Sequence, residues 1–248
     1  MLISKEKEAR GIGKYLQFHP EGEKFSLFSA EHIWTIAVIA VIIVGMMLLK
    51  KSWMPYQHPI RLALAAVLFL ALITHQIWLL TEHAWSAASA LPLHLSDLSV
   101  ILVFIMLING SEKLFQFLYF AGIASSVQAL LTPDLSTYHF PHFQYIVFFI
   151  SHGTVILAVV VMLMAFSYRV TFRTVWKSVL IVNLYAVIIF AVNKWMGSNY
   201  MFLMKKPEGV SLLNVLGKWP WYLIWAELIM IVSFLLLFWM YKRGRLHH

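Results

Sequence analysis

Hydrophobic positions along the chain gather into seven long runs, at about 32–50, 60–82, 92–109, 113–132, 143–167, 174–194 and 219–241. Each is about the length of roughly 18 or more residues that a helix needs to cross a bilayer. Lipid offers no partner to a backbone N–H or C=O, so spans this long and this continuously apolar must be helices rather than barrel strands. Between them the longest segments are the first 30 residues and about 24 residues near 195–218. The pattern predicts an all-α, polytopic membrane protein, a single bundle of seven transmembrane helices over 31–241. An extramembrane or interfacial segment (1–30) precedes it and a basic tail (242–248) follows.

Composition agrees and adds orientation. The chain is 61% hydrophobic and 12% charged, where soluble domains carry about a quarter charged residues. Cysteine is absent, so no disulfide or thiol nucleophile exists. The first 30 residues, with Lys5, Lys7, Arg10, Lys14 and Lys24, lack the apolar core of a cleavable signal, and the first span is expected to direct insertion. Lys50, Lys51 and Arg61 flank the first connection, Lys113 the third, and Arg169, Arg173 and Lys177 the fifth; Lys242, Arg243 and Arg245 follow the last span. The second and fourth connections carry no Lys or Arg. The positive-inside rule then predicts a cell-membrane protein with its N-terminus outside and its C-terminus cytoplasmic. Lys194, Lys205, Lys206 and Lys218 stand against that assignment. The net charge of +8 reads as topogenic and lipid-facing; no basic stripe on a soluble face suggests nucleic acid.

Polar residues within the spans cluster toward one side. Thr74, His75 and Gln76 lie near one end of the second span, His94, Ser96 and Asp97 open the third, and Gln128 closes the fourth. Ser151 and His152 lie two to three turns into the fifth, and Asn193, Asn199 and Tyr200 sit at the end of the sixth. Ionisable groups in a bilayer are costly unless paired or hydrated, and so mark candidate sites. Single Asn or Ser residues such as Asn183, Ser125, Ser126 and Ser233 read as interhelical hydrogen-bonding groups. Glu227 is expected to pair with a basic or amide group such as Lys194 or to be held protonated by burial. His19, His32 and His58 read as interfacial and inert, and His139 and His142 as solvated or lid-forming. These last two are the only short histidine pair, in a proline-containing loop, so no metal site is expected. No cofactor is expected either; a retinal pigment is disfavoured because the seventh span has no lysine in its middle.

The stretch 91-LPLHLSDLS-99 carries the chemistry most worth weighing. Proline is tolerated in a helix's first turn, so the third span is expected to start near Leu91–Pro92 with His94, Leu95 and Ser96 in that turn. Free N–H groups and the positive dipole end there favour negative charge and suit an oxyanion formed at a serine nucleophile. Serine needs a base. Ser96 lies about 200° round the helix from His94, so the base is expected from another span, His152 being the deepest histidine.

Together with the seven-span layout, 91-LPLHLSDLS-99, 149-FISHGT-154 and 197-GSNYMFLMKKP-207 resemble the YwaF-like bacterial integral membrane proteins. That group is distantly similar to a eukaryotic transmembrane acyltransferase family that makes ether phospholipids. The resemblance covers about 25–240. It implies an acyl-accepting nucleophile in the place of Ser96, where relatives typically carry cysteine, and a base in the place of His152. Serine at 96 is a departure toward a weaker nucleophile.

Three function classes follow. The first is a membrane acyltransferase or lipid-ester hydrolase, with Ser96, His152 and His94 catalytic and His75, Asp97, Gln128, Asn193, Asn199 and Tyr200 contacting substrate. Its partners would be membrane lipids, a phospholipid or an acyl chain. The second is a transporter or ligand-binding protein using the same outer cavity, although no inverted repeat or paired broken helices are evident. The third is a receptor or accessory subunit. His75, His94, Ser96, His152 and Asn199 are expected to line one cavity, and 198–218 to hold a segment lying in the membrane interface.

Overall fold

The computed structural model describes residues 13–20, 24–207, 209 and 211–245; Lys5, Lys7, Arg10, Val210, His247 and His248 lie outside them. Helix α1 covers Ala30–Leu48, α2 Gln57–Thr81, α3 Leu95–Asn109, α4 Glu112–Leu131, α5 Phe143–Ala165, α6 Phe172–Met196 and α7 Trp221–Arg245. A helical turn, Lys50–Trp53, and a 3-10 turn, Met54–Tyr56, join α1 to α2. Six of the seven are long and apolar enough to cross a membrane, while α3, with 15 residues, is shorter. The polytopic helical bundle read from the sequence is the fold.

Helix ends follow local chemistry. Ser29, Ser111, His142 and Thr171 each accept a backbone N–H at the start of α1, α4, α5 and α6, meeting donors the first turn leaves free. Gly110 and Gly197 end α3 and α6 in the left-handed region at φ 65°, where glycine carries no Cβ penalty.

Helices α4 and α5 form the centre. α4 meets α3, α5, α6 and α7, and α5 also meets α1, α2 and α3. The core between them includes Phe115, Leu118, Phe120, Val155, Val159 and Met162, all buried. Gly122 lies at this contact: a Cβ there would stand 3.7 Å from Val155 Cγ1, an ordinary packing distance. Helices α1 and α7 are peripheral and expose most of their apolar surface, as lipid-facing helices do.

Connections alternate between two sides. On the first, Trp78 Nε1 donates to Leu16 O at 2.5 Å, Phe18 N–H to Glu82 Oε2 at 3.0 Å and the Tyr138 hydroxyl to Phe18 O at 2.7 Å. The segment before α1 and the α2–α3 and α4–α5 connections therefore share a side. On the other, Arg61 holds Leu107 O, and Arg169 N–H donates to Glu112 Oε1 at 3.0 Å.

Candidate functional site at the N-terminal end of helix α3

α3 begins three residues later than its sequence suggests. His94 is its N-cap, extended at φ −66° and ψ 149°, and Pro92 stands in the preceding irregular segment. Long-range contacts hold that segment in its turns and bends. Gln76 Nε2 donates to Ala90 O at 2.9 Å, the Tyr200 hydroxyl donates to Ala87 O at 2.7 Å and accepts Leu91 N–H at 3.1 Å, and the Tyr185 hydroxyl donates to Leu93 O at 2.9 Å. With these backbone groups already paired outside a helix, the first turn is Leu95–Leu98.

His94 does not cap its own helix. Its Nδ1 accepts Met201 N–H at 3.2 Å, which leaves the proton on Nε2. The ring packs against Tyr200 and Phe202, with centroids 5.5 and 5.0 Å apart. Met201 and Phe202 reach it through a left-handed turn, at φ 57° and 52°. Such backbone costs bulky residues of order 1–3 kcal/mol each and persists where surroundings impose it. Leu98 N–H is the first to bond a helical carbonyl, His94 O at 2.9 Å. Among the described residues the N–H groups of Leu95, Ser96 and Asp97 have no acceptor, and neither Ser96 Oγ nor the Asp97 carboxyl makes a hydrogen bond.

His152 faces this region from α5. It is 3% exposed, its ring meets Phe148 at 4.4 Å, and its Nδ1 is buried without a partner. His94 is within electrostatic reach of it, and Asp97 within reach of the Tyr185 and Tyr200 phenols. The Gly122–Val155 approach sets α4 against α5 so that Ser126, one turn on, is level with Ser151–His152; Ser126 Oγ is likewise buried without a partner. Ser99 Oγ lies 3.4 Å from Ser125 Oγ, extending the polar layer to α3. Unpaired buried polar groups are uncommon and each calls for an explanation.

Other expected site residues are placed differently. Asn193 is 1% exposed, and its side chain is saturated by Tyr200 O, Tyr200 N–H and the Ser198 hydroxyl at 2.8–2.9 Å. Asn199 donates to Lys205 O and accepts the N–H groups of Met204 and Lys205. The Tyr200 hydroxyl is committed to the α2–α3 connection. All three tie the α6–α7 connection down through these hydrogen bonds. Gln128 is exposed at the end of α4, and His75 lies beside Trp78 and Gln144. Of the expected single cavity, the structure brings His94 within electrostatic reach of His152, with Ser96 and Asp97 in the first turn that follows His94. A polar cleft of about 610 Å³ opens elsewhere, between Gln17–His19 and Glu82–Ala84.

Further expectations change. His32 is fully buried: Nδ1 accepts Phe28 N–H at 3.0 Å, and Nε2 lies 2.8 Å from Leu130 O. His142 is also buried, caps α5 and reaches Gln17 O with Nε2 at 3.0 Å. Glu227 has an amide partner, one of its expected alternatives: it accepts from Asn183 Nδ2 at 2.9 Å, while the ammonium of Lys194 lies over Phe190. The described part of 198–218 forms two 3-10 turns, Tyr200–Phe202 and Leu212–Val215. Its backbone is bound inward, to Asn193, Asn199 and Tyr222. Among the described residues no three His, Asp or Glu converge as a metal ion would need.

Fold and site together define a multi-pass helical membrane protein with a polar cluster enclosed at one end of a short central helix. The model of the TMEM164 family, a transmembrane protein family, matches residues 27–238, and the chain belongs to that family. No curated protein and no solved structure matches it.

Proposed function

We propose that this protein transfers or hydrolyses the acyl esters of membrane lipids, at a site opening to the outer side of the cell membrane, with the N-terminus outside. The observation that supports the reading is the buried Nδ1 of His152, without a hydrogen-bond partner and within electrostatic reach of His94, the residue that opens a helix whose Ser96 hydroxyl and first three backbone N–H groups make no hydrogen bond. The resemblance to ether-lipid acyltransferases points the same way. Ser96 Oγ attacks the ester carbonyl while His152 takes its proton. The carbonyl oxygen, now anionic, sits at the uncapped end of α3, where free N–H groups and the helix dipole stabilise it. Collapse expels the lipid alcohol, which takes the proton from His152. A second alcohol, or water, then removes the acyl group by the same steps. His94, fixed as the Nε2–H tautomer by Met201, donates to the substrate, and Asp97 with Tyr185 and Tyr200 sets the local field.

One observation favours a second reading, binding or transport without chemistry: a hydroxyl occupies the place where related proteins carry a thiol, the stronger nucleophile. Intact-protein mass spectrometry of Ser96→Cys after exposure to phospholipid separates the two. A thiol beside histidine ionises readily, so acyl transfer predicts an adduct of acyl mass on position 96 that is lost in the Ser96→Cys, His152→Ala double variant. A folded Ser96→Cys protein that stays unmodified, with no lipid turnover by the native chain, sinks the enzymatic reading.

A further inference from the structure

We propose that the cleft between α1 and α5 is a binding site for one acyl chain of a bilayer lipid. The cleft has a volume of about 380 Å³ and runs from Trp34 to Ile43 on α1 and from Phe149 to Leu157 on α5. At 1.5 Å per residue it is roughly 12–14 Å long. A transmembrane helix runs the whole ~30 Å of hydrocarbon, more than twice that length. A single extended chain reaching in from one leaflet, about half that thickness, matches it.

The lining chemistry selects the same occupant. Val38, Ile39, Ile42, Phe149 and Leu157 make the walls. Thr35, at the rim, spends its hydroxyl on Glu31 O at 2.7 Å and the Tyr145 hydroxyl at 2.8 Å. Both walls belong to membrane-spanning helices, so the surrounding medium is lipid tails. Depth is set by Gly153, where a Cβ would stand 3.1 Å from Ile39 Cδ1. α1 therefore lies directly on the backbone of α5 there, and the cleft opens beside that contact. Because α1 meets the bundle mainly through α5, a chain held here lies under a peripheral helix.

The site is independent of the acyl-transfer reading, and its test reads occupancy rather than turnover. The full chain is placed in phosphatidylcholine vesicles containing a phospholipid with a photoactivated diazirine near the end of one chain, and adducts are mapped by peptide mass spectrometry. Adducts on the cleft segments of α1 and α5 should exceed those on the exposed α6 face around Leu184 and Val187 by about tenfold, the margin of a site preferred by 1.4 kcal/mol over bulk lipid. Val38→Trp and Ile150→Trp change side chains that are 54% and 44% exposed, so they fill the cleft without entering the core and should abolish the excess. Leu184→Trp and Ser96→Ala should leave it intact. Equal labelling of both surfaces, or labelling insensitive to the filling variants, overturns the proposal. Cross-links between two copies through α1 would assign the cleft to helix docking instead.

Discussion

The two ends of α3 are opposites. At its C-terminal end the chain turns on Gly110 in the left-handed region. Arg61 donates to Leu107 O through Nε at 3.1 Å and Nη2 at 2.6 Å, and the Tyr168 hydroxyl donates to Gly110 O. The Arg61 guanidinium also lies 5.0 Å from the Phe166 ring centroid. That end is sealed by donors matched to the carbonyls a helix leaves free. The N-terminal end has the same kind of deficit with the sign reversed, three free N–H groups, and its capping residue turns its acceptor away to Met201. One end of the helix is thus closed by matched partners, while the other keeps its first-turn donors unpaired.

Substitutions should separate the two ends. The largest stability effect is expected for Asn193→Leu, which strands the backbone of Tyr200 and the Ser198 hydroxyl; at 1–3 kcal/mol for each buried orphan, about 3–5 kcal/mol is lost. Thermal unfolding in lipid nanodiscs measures it, and acyl adduct formation on Ser96→Cys should fail as well, because the turn that holds His94 is released. Next comes Arg61→Leu, expected to cost about 2–3 kcal/mol through its charge-assisted hydrogen bonds while leaving adduct formation intact. Loss of adduct with an unchanged melting temperature would reverse the roles of the two ends.

His94→Ala should show the opposite profile. It removes one neutral hydrogen bond, about 1 kcal/mol, yet slows adduct formation by roughly a hundredfold if the imidazole acts in proton transfer. A drop in melting temperature with unchanged rate would make His94 a structural tie.

The smallest effect is expected from pH and lies outside the bundle. Burial, its largest influence, holds the His142 imidazole below its ordinary range. The unfolded chain then takes up a proton at higher pH than the folded one, so stability is complete above about pH 6.5 and declines as pH falls below it. Melting temperatures at pH 7.5 and pH 5 measure this, and His142→Asn, which keeps an N-capping side chain, should shrink the difference.

The apolar runs and basic connections determined the helical bundle, its alternating connections and most helix limits, because lipid forces backbone pairing within each helix whatever the helix's neighbours are. Ser96, His94 and His152 were legible as candidate chemistry, since polar residues are conspicuous in such a background. The destinations of those polar groups were not legible. Asn193, Asn199 and Tyr200 carry the same groups a binding site would, and only the folded α6–α7 connection shows them spent on backbone. His32 looked interfacial and His142 solvated or lid-forming in one dimension, yet both are buried and reach carbonyls 98 and 125 residues away. The start of α3 was misplaced for the same reason: local propensity allows a helix from Pro92, but side chains from α2, α6 and the α6–α7 connection claim that backbone first. A hydrogen-bonding group's chemical type is written in the sequence; its partner is fixed by which segments the packing of the helices brings within 3 Å or so.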